Sequence, residues 1–365
     1  MNSPPSPSVS PAPATPPVGA FWLLVLAAAS VLLVTTGVRM SLGLYVAPIN
    51  EATGLGIAAI SFALAVAQIM WGVAQPLFGA LADRFGPGLS LFVGAVMMAA
   101  GMALTPFVDS SLGLTLSLGV LVAGGAGAGS FSVLLGAVSL RLPAARRAFA
   151  SGLINAGSSF GQFVFAPLSQ WLIAGFGLAT ALFSLAVIAL LTIPVSWPLR
   201  HKAEHPEGGG AVGVGMTDQL RIAFADRSYW CLHAGFFACG FHIAFLATHL
   251  PGAVDLCGLP GSVSANSLAL IGLANIFGGL GAGWLAQRYR MKWLLFWMYA
   301  SRAVMVGLYL VAPKTDLTFY VFAFGLGLTW LATVPPTAGL VGKLFGLRYL
   351  GTLFGLTLLS HQIGA

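Results

Sequence analysis

The chain has 365 residues, of which 58% are hydrophobic and only 7% are charged. A soluble domain is usually about a quarter charged, so this composition excludes a soluble enzyme, a disordered protein and a nucleic-acid-binding protein. The net charge of +7 reflects the orientation of the chain in a membrane and not a polyanionic partner, because the basic residues lie in the connections between apolar stretches. Three cysteines at positions 231, 239 and 257 have neither CxxC nor metal-ligand spacing, and we expect no metal and no cofactor.

Residues 1–19 are rich in Pro and Ser, which predicts a disordered cytoplasmic tail. Eleven apolar stretches follow, each near the roughly 20 residues that a helix needs to cross a bilayer. Long Gly- and Ala-rich stretches without alternation predict membrane helices and not barrel strands. The predicted spans are 21–47, 57–82, 89–107, 112–139, 149–175, 178–198, 229–253, 264–286, 293–312, 317–341 and 349–365.

The chain is predicted to be an all-α polytopic membrane protein with two bundles. A six-helix bundle at 20–198 is followed by a polar cytoplasmic linker at 199–228, and an incomplete bundle of about five helices occupies 229–365. Thirteen of the sixteen basic residues lie in connections on one side, which predicts that this side and the N-terminus are cytoplasmic. These residues are Arg84, Arg141, Arg146, Arg147, Arg200, Lys202, Arg221, Arg227, Arg288, Arg290, Lys292, Lys343 and Arg348.

The two bundles repeat each other in sequence. The segment 79–85 (GALADRF) corresponds to 283–289 (GWLAQRY), and 37–48 (GVRMSLGLYVAP) corresponds to 240–251 (GFHIAFLATHLP). The second pair places Arg39 and His242 at equivalent positions, so we expect the two side chains to face each other across the space between the halves and to share a ligand. Parallel repeats of this kind bring a substrate site to the middle of the membrane, between the halves.

The segment Gly79 to Gly86 between spans 2 and 3 resembles the signature of the major facilitator superfamily. Pro87 and Gly88 replace the basic residues expected after it, and the repeat copy has Gln287 in place of Asp83. The runs 43–49 (GLYVAPI) and 61–87 resemble bacterial members near the monocarboxylate porters and oxalate–formate antiporters. The resemblance implies twelve helices, so the chain, which ends within span 11, is expected to be truncated at its C-terminus. It also implies a conformational latch formed by Gly79, Asp83, Arg84, Gly86 and Arg288.

The predicted spans contain no carboxylate, which argues against a carrier of cations. Arg39 lies within span 1, with Thr35 and Thr36 one turn away, and burying an arginine there costs about 2.5–3.5 kcal/mol. A substrate carboxylate would offset that cost. The alternative is an arginine that bonds backbone carbonyls and water or reaches outward. The resemblance implies that span 9, which contains Arg302, is a peripheral support helix, so for Arg302 we expect a structural role between helices and their carbonyls.

Other polar side chains in the spans complete the predicted site. His242 and His249 share one face of span 7 and are candidates for proton coupling. The substrate-binding candidates are Arg39, His242, Thr35, Thr36, Tyr45, Asn155, Gln162 and His361, and further polar groups that could line the path are Gln68, Gln75, Ser158, Ser159 and Gln362.

The sequence therefore predicts a monomeric, multi-pass transporter of the bacterial inner membrane that is not an enzyme. It would move a small mono- or dicarboxylate by alternating access, and protons are a candidate second partner. Import or export, and symport or exchange, stay open at this point. The alternatives are an efflux permease for amphipathic compounds, a membrane-embedded enzyme and a non-transporting sensor.

The charge asymmetry of the loops predicts the orientation of the chain. A reporter that is active only in the periplasm should be inactive when fused at Gly209, in the linker, and active at Lys314, between spans 9 and 10. Enzyme activity of the two fusions in intact cells measures this. Activity at Gly209 together with inactivity at Lys314 would contradict the assignment.

Overall fold

A computed structural model gives the fold, and residues 18–201 and 215–365 of the chain are described in it. These residues form eleven long helices, α1–α11, that run back and forth, and the described part contains no strand. A short amphipathic linker helix, Met216–Ala225, precedes α7. The predicted tail at 1–19 lies almost entirely outside the described residues, as does the glycine-rich part of the linker.

The N-terminal half contains α1–α6. Gly177 adopts a φ of +78° and bends the path between α5 and α6, a conformation that favours glycine. Helix α1 is Val18–Ser41, continued by a 3-10 turn at Leu42–Tyr45 and by Val46–Thr53; α2 is Ile57–Phe85 and α3 is Pro87–Leu104. Helix α4 has four parts, Ser111–Leu114, a π-helix at Thr115–Val122, Ala123–Ala128 and Phe131–Ser139. Helices α5 and α6 together occupy Ala144–Val195 and meet at Gly177.

The C-terminal half contains α7–α11, and the helices of both halves match the predicted spans to within several residues. The five helices are α7 (Arg227–Leu256), α8 (Gly261–Arg288), α9 (Met291–Val311), α10 (Asp316–Thr329 and Val334–Phe345) and α11 (Leu350–Gly364). Eight helical segments of the described chain are long and apolar enough to cross a membrane. Helices α5, α7 and α11 fall outside this set, and they carry Asn155, His242 and His361.

The loops after α2, α4, α6, α8 and α10 lie at one end of the bundle, here called the linker end. From this end, two pairs of helices join the halves along glycine-rich seams. A Cβ atom at Gly79 of α2 would lie 2.5 Å from the carbonyl oxygen of Gly351 in α11. A Cβ atom at Gly283 of α8 would lie 2.9 Å from Cα of Gly152 in α5. Because only glycine permits these approaches, both seams are closed backbone to backbone.

Each seam extends from the linker end to about the middle of its helices. Gln68, the last residue of α2 that bonds across the first seam, lies 17 residues before Phe85, or about 25 Å along the helix axis. On the second seam, the last such bond joins Asn275 near the centre of α8 to Ser159 of α5. The described contacts therefore close the space between the halves on the linker side of the membrane centre.

Replacement of Gly283 by alanine should open the α5–α8 seam, because the added Cβ would meet Ala148 and Gly152 at under 3 Å. The matched control is Gly281→Ala in the same helix, since a Cβ at Gly281 meets nothing within 4 Å. The distance between spin labels at 145 and 287, in a protein whose native cysteines are replaced, should increase for Gly283→Ala alone. Equal distances in both variants would show that the seam tolerates a side chain.

Candidate substrate site between the two halves

Two side-chain hydrogen bonds mark the ends of the seams at membrane depth. Gln68 Nε2 of α2 donates to Gln362 Oε1 of α11 at 2.6 Å. Asn275 Nδ2 of α8 donates to Ser159 Oγ of α5, also at 2.6 Å. Gln362 and Ser159 occupy matching positions of the repeat in α11 and α5, whereas their partners Gln68 and Asn275 do not match each other. These two bonds are together called the floor here, because they are the last described side-chain bonds across the seams on the way from the linker end.

Arg39 of α1 lies against this floor. Its Nη1 donates to Gln68 Oε1 at 2.9 Å, its Nη2 is 3.6 Å from the sulfur of Met40, and the guanidinium lies 4.0 Å from the centre of the Trp71 ring. The Nε–H is buried without a hydrogen-bond partner. Within the described part of the chain, these partners include one oxygen and no carboxylate, so the charge of Arg39 is incompletely compensated.

The hydrogen bonds of Arg39 continue into the C-terminal half. Gln68 links Arg39 to Gln362, and Gln362 Nε2 is 2.9 Å from His361 Nδ1 on the same helix. Both Gln362 and His361 are buried. The bond between Gln68 and Gln362 crosses between the halves, so the side chain that accepts from Arg39 is also the one that contacts the other half.

Arg302 of α9 has the structural environment that the sequence predicted for it. Its Nε donates to Thr329 Oγ1 at 3.1 Å, and its Nη2 donates to the carbonyl oxygens of Thr329 and Trp330, the latter at 2.6 Å. These carbonyls belong to the interruption between the two segments of α10. Because lipid offers no donor to a broken helix, the guanidinium satisfies backbone groups there. Its side chain is 3% exposed.

The same interruption of α10 binds two amides from the second seam. Leu331 N donates to Asn275 Oδ1 at 2.9 Å, and Asn155 Nδ2 donates to the Leu331 carbonyl at 3.3 Å. Asn155 was predicted as a substrate ligand, whereas in this conformation it joins α5 to α10. Asn275 was missed by the sequence analysis, although an asparagine near the centre of a membrane helix is itself a signal of a polar contact.

The remaining predicted site residues have different environments. Thr35 Oγ1 donates to the Gly129 carbonyl at 2.9 Å, at the interruption of α4, and Thr36 is buried. Tyr45 is completely buried in the hydrophobic core of the N-terminal half, so it does not line the space between the halves in this conformation. Gln162 of α5 is partly exposed, and the side chain of His249 lies outside the described structure.

His242 of α7 was predicted to face Arg39 across the cavity. Its Nδ1 is buried without a hydrogen-bond partner. Among the described contacts of Arg39, the group that leads to the other half is Gln362, reached through Gln68. Direct sharing of a ligand by Arg39 and His242 stays a prediction, as does proton coupling through His242.

At the linker end, Asp83 contacts the start of a helix that belongs to the other half. Its Oδ2 accepts hydrogen bonds from Thr352 N at 2.8 Å and from Thr352 Oγ1 at 2.7 Å, in the first turn of α11. A carboxylate is stabilised there by unpaired N–H groups and by the helix dipole. Gly86, with a φ of +96°, ends α2 and starts α3. Arg84 lies over the Phe85 ring, and Arg288 lies over the Trp284 ring on the other seam.

Comparison with known proteins agrees with this architecture. The sequence profile of the Major Facilitator Superfamily matches residues 27–365. Monocarboxylate transporter 13 of Bos taurus is 28% identical over 96% of this chain and 82% of its own, and the oxalate:formate antiporter of Oxalobacter formigenes is 24% identical over 93% and 81%. The chain belongs to the major facilitator superfamily and is a multi-pass membrane transporter.

Solved structures show the same fold. A crystal structure of the E. coli fucose:proton symporter has a TM-score of 0.72 at 15% identity and covers 95% of this chain and 89% of that one. A bacterial homologue of the iron transporter ferroportin, in an outward-facing state, has a TM-score of 0.71 at 16% identity, with coverage of 94% and 89%. At these identities, the similarity establishes the two-bundle fold alone.

The contact between Asp83 and α11 predicts a role in the rate of conformational change. Asp83→Asn keeps an acceptor oxygen but removes the charge from the helix terminus, so it should destabilise the linker-closed state. Uptake kinetics should show a reduced maximal rate with a nearly unchanged half-saturation concentration. A normal maximal rate with a raised half-saturation concentration would instead place Asp83 in substrate binding and contradict the latch.

Proposed function

We propose that this transporter moves a small organic anion, a mono- or dicarboxylate, and that Arg39 binds its carboxylate group. The observation that supports the proposal is the guanidinium of Arg39, which lies at membrane depth with one neutral oxygen as its hydrogen-bond acceptor in the described structure. The names of the relatives, a monocarboxylate transporter and an oxalate:formate antiporter, support the same substrate class.

A carboxylate is chemically suited to the environment of Arg39. A guanidinium offers five N–H donors in a planar fork, and a carboxylate can accept two of them in parallel. The Trp71 ring lies against the guanidinium of Arg39 and limits the plane it can adopt. Within that plane, Gln68 accepts from one of the N–H groups. A carboxylate adds the attraction of opposite charges and a second, parallel hydrogen bond to what the neutral amide of Gln68 supplies. An anionic substrate could therefore replace Gln68 Oε1 as the acceptor.

The position of Arg39 also suggests how binding is coupled to movement. Gln68 bonds to Arg39 through its oxygen and to Gln362 of the other half through its nitrogen. A substrate carboxylate that accepts from Arg39 in place of Gln68 leaves the Gln68 amide free to rotate. The hydrogen bond between Gln68 and Gln362 is then weakened. Opening of the seams then exposes the substrate to the linker side, which the basic loops assign to the cytoplasm.

The test compares the two intramembrane arginines. Arg39→Gln should raise the half-saturation concentration for a carboxylate by at least about tenfold, because a charged hydrogen bond contributes about 1.5–3 kcal/mol. Arg39→Lys should lose much of the affinity although it keeps the charge, since an ammonium cannot form the planar pair. Uptake of a panel of labelled carboxylates into vesicles measures both effects.

Arg302→Gln is the matched control. It leaves the carbonyls of Thr329 and Trp330 without their donor, so it should lower the melting temperature, while the protein that folds keeps its carboxylate affinity. A folded Arg39→Gln protein with unchanged affinity would overturn the proposed role of Arg39. Failure of the wild type to transport any carboxylate, together with export of amphipathic compounds, would favour efflux instead.

A further inference from the structure

The two seams differ at the linker end, although the repeat makes them equivalent. On the α2–α11 seam, the carboxylate of Asp83 bonds to the first turn of α11. On the α8–α5 seam, the equivalent residue is Gln287, whose Nε2 donates to the Gly283 carbonyl of its own helix at 3.3 Å. The N-cap residue of α5 is Pro143, whose side chain cannot accept a hydrogen bond. The start of α5 therefore lacks the acid that stabilises the start of α11.

A cavity of about 590 Å³ occupies this position. Residues of both halves line it: the first two turns of α5 belong to one half, and the end of α8 and the second segment of α10 belong to the other. Three basic side chains, Arg147, Arg288 and Lys343, contribute to the lining, and no carboxylate does so among the described residues. With the positive end of the α5 dipole, these charges make the cavity electropositive.

Contacts within the protein orient two of the basic side chains of the cavity, and one buried hydroxyl there has no partner. Arg147 Nε donates to the carbonyls of Ser139 and Leu142, at 2.9 Å each, and the Arg288 guanidinium lies 4.1 Å from the centre of the Trp284 ring. Ser151, also in the lining, is only 2% exposed, and its hydroxyl has no hydrogen-bond partner. A buried hydroxyl without a partner is costly unless a ligand or water satisfies it.

We propose that this cavity binds the phosphate or carboxylate group of an anion on the linker side, and that the bound anion stabilises the α5–α8 seam as Asp83 stabilises the α2–α11 seam. Arg288 and Lys343 supply charge from one half, and Arg147, Ser151 and the start of α5 supply donors from the other. Because both halves contribute, separation of the linker ends divides the site. The anion thus binds the linker-closed conformation in preference and shifts the population toward it.

The first experiment uses inorganic phosphate as the probe and the full chain in nanodiscs of neutral phosphatidylcholine. Phosphate should raise the melting temperature saturably and should shorten the mean distance between spin labels at 146 and 289, two exposed positions that do not line the cavity. Sodium chloride at matched ionic strength should reproduce neither effect. No carboxylate substrate is needed, so the outcome is independent of the proposed transport function.

Two variants and a control locate the effect. Lys343→Gln should weaken phosphate binding at least threefold, and Ser151→Ala should weaken it without changing the net charge. Lys292→Gln removes the same charge at the same end, from a residue that does not line the cavity, and should bind phosphate like the wild type. Equal loss in Lys343→Gln and Lys292→Gln would overturn the site in favour of general charge attraction.

The lipid composition of the nanodiscs distinguishes a lipid headgroup from a soluble anion as the ligand of the cavity. If a lipid headgroup fills the cavity, nanodiscs with anionic phosphatidylglycerol should stabilise the wild type in the absence of phosphate, and Lys343→Gln should abolish that gain. If a soluble anion fills it, phosphate should act equally in both lipids. An unchanged melting temperature and label distance with phosphate and with anionic lipid would overturn the proposal.

Discussion

The close approach of α2 to α11 and of α5 to α8 is the constraint on which the other features depend. Glycines at matching places let the backbones of the two halves touch. This contact brings Gln68 within hydrogen-bonding distance of Gln362 and Asn275 within reach of Ser159, which forms the floor below Arg39. It also places Asp83 at the start of α11. Larger side chains in the seams would remove the floor and the contact of Asp83 together.

Polar groups at membrane depth follow a second physical rule, because lipid cannot satisfy them. The interruption of α10 exposes backbone carbonyls, and Arg302 and Asn155 donate to them. The interruption of α4 is satisfied more simply, by the hydroxyl of Thr35. Arg39 differs from Arg302 because its described hydrogen bonds reach side chains and no backbone carbonyl. This difference is the reason for assigning a structural role to Arg302 and a ligand to Arg39.

The two repeats have the same helix arrangement but different side chains at equivalent positions, so the two halves make different contacts. Trp71 and Asn275 occupy equivalent positions, yet one lies against Arg39 and the other binds α5 and α10. Asp83 and Gln287 are likewise equivalent, but only the carboxylate bonds to the opposite helix terminus. The two seams therefore make different contacts, and in the described residues no carboxylate lies beside Arg39 or lines the cavity beside α5.

The sequence alone determined the features that depend on hydropathy and on short motifs. The eleven helices follow from the length of the apolar runs, and the repeat and the family follow from short motifs. The structural role of Arg302 was expected because the family resemblance makes its span peripheral. The tertiary structure decided which polar residues meet. Gln68 and Gln362 are 294 positions apart in the chain, and Tyr45 points into a core rather than a cavity. Hydropathy assigns a residue to the membrane but does not say which face of its helix meets another helix, because rotation and the register of packing are set by contacts between distant segments.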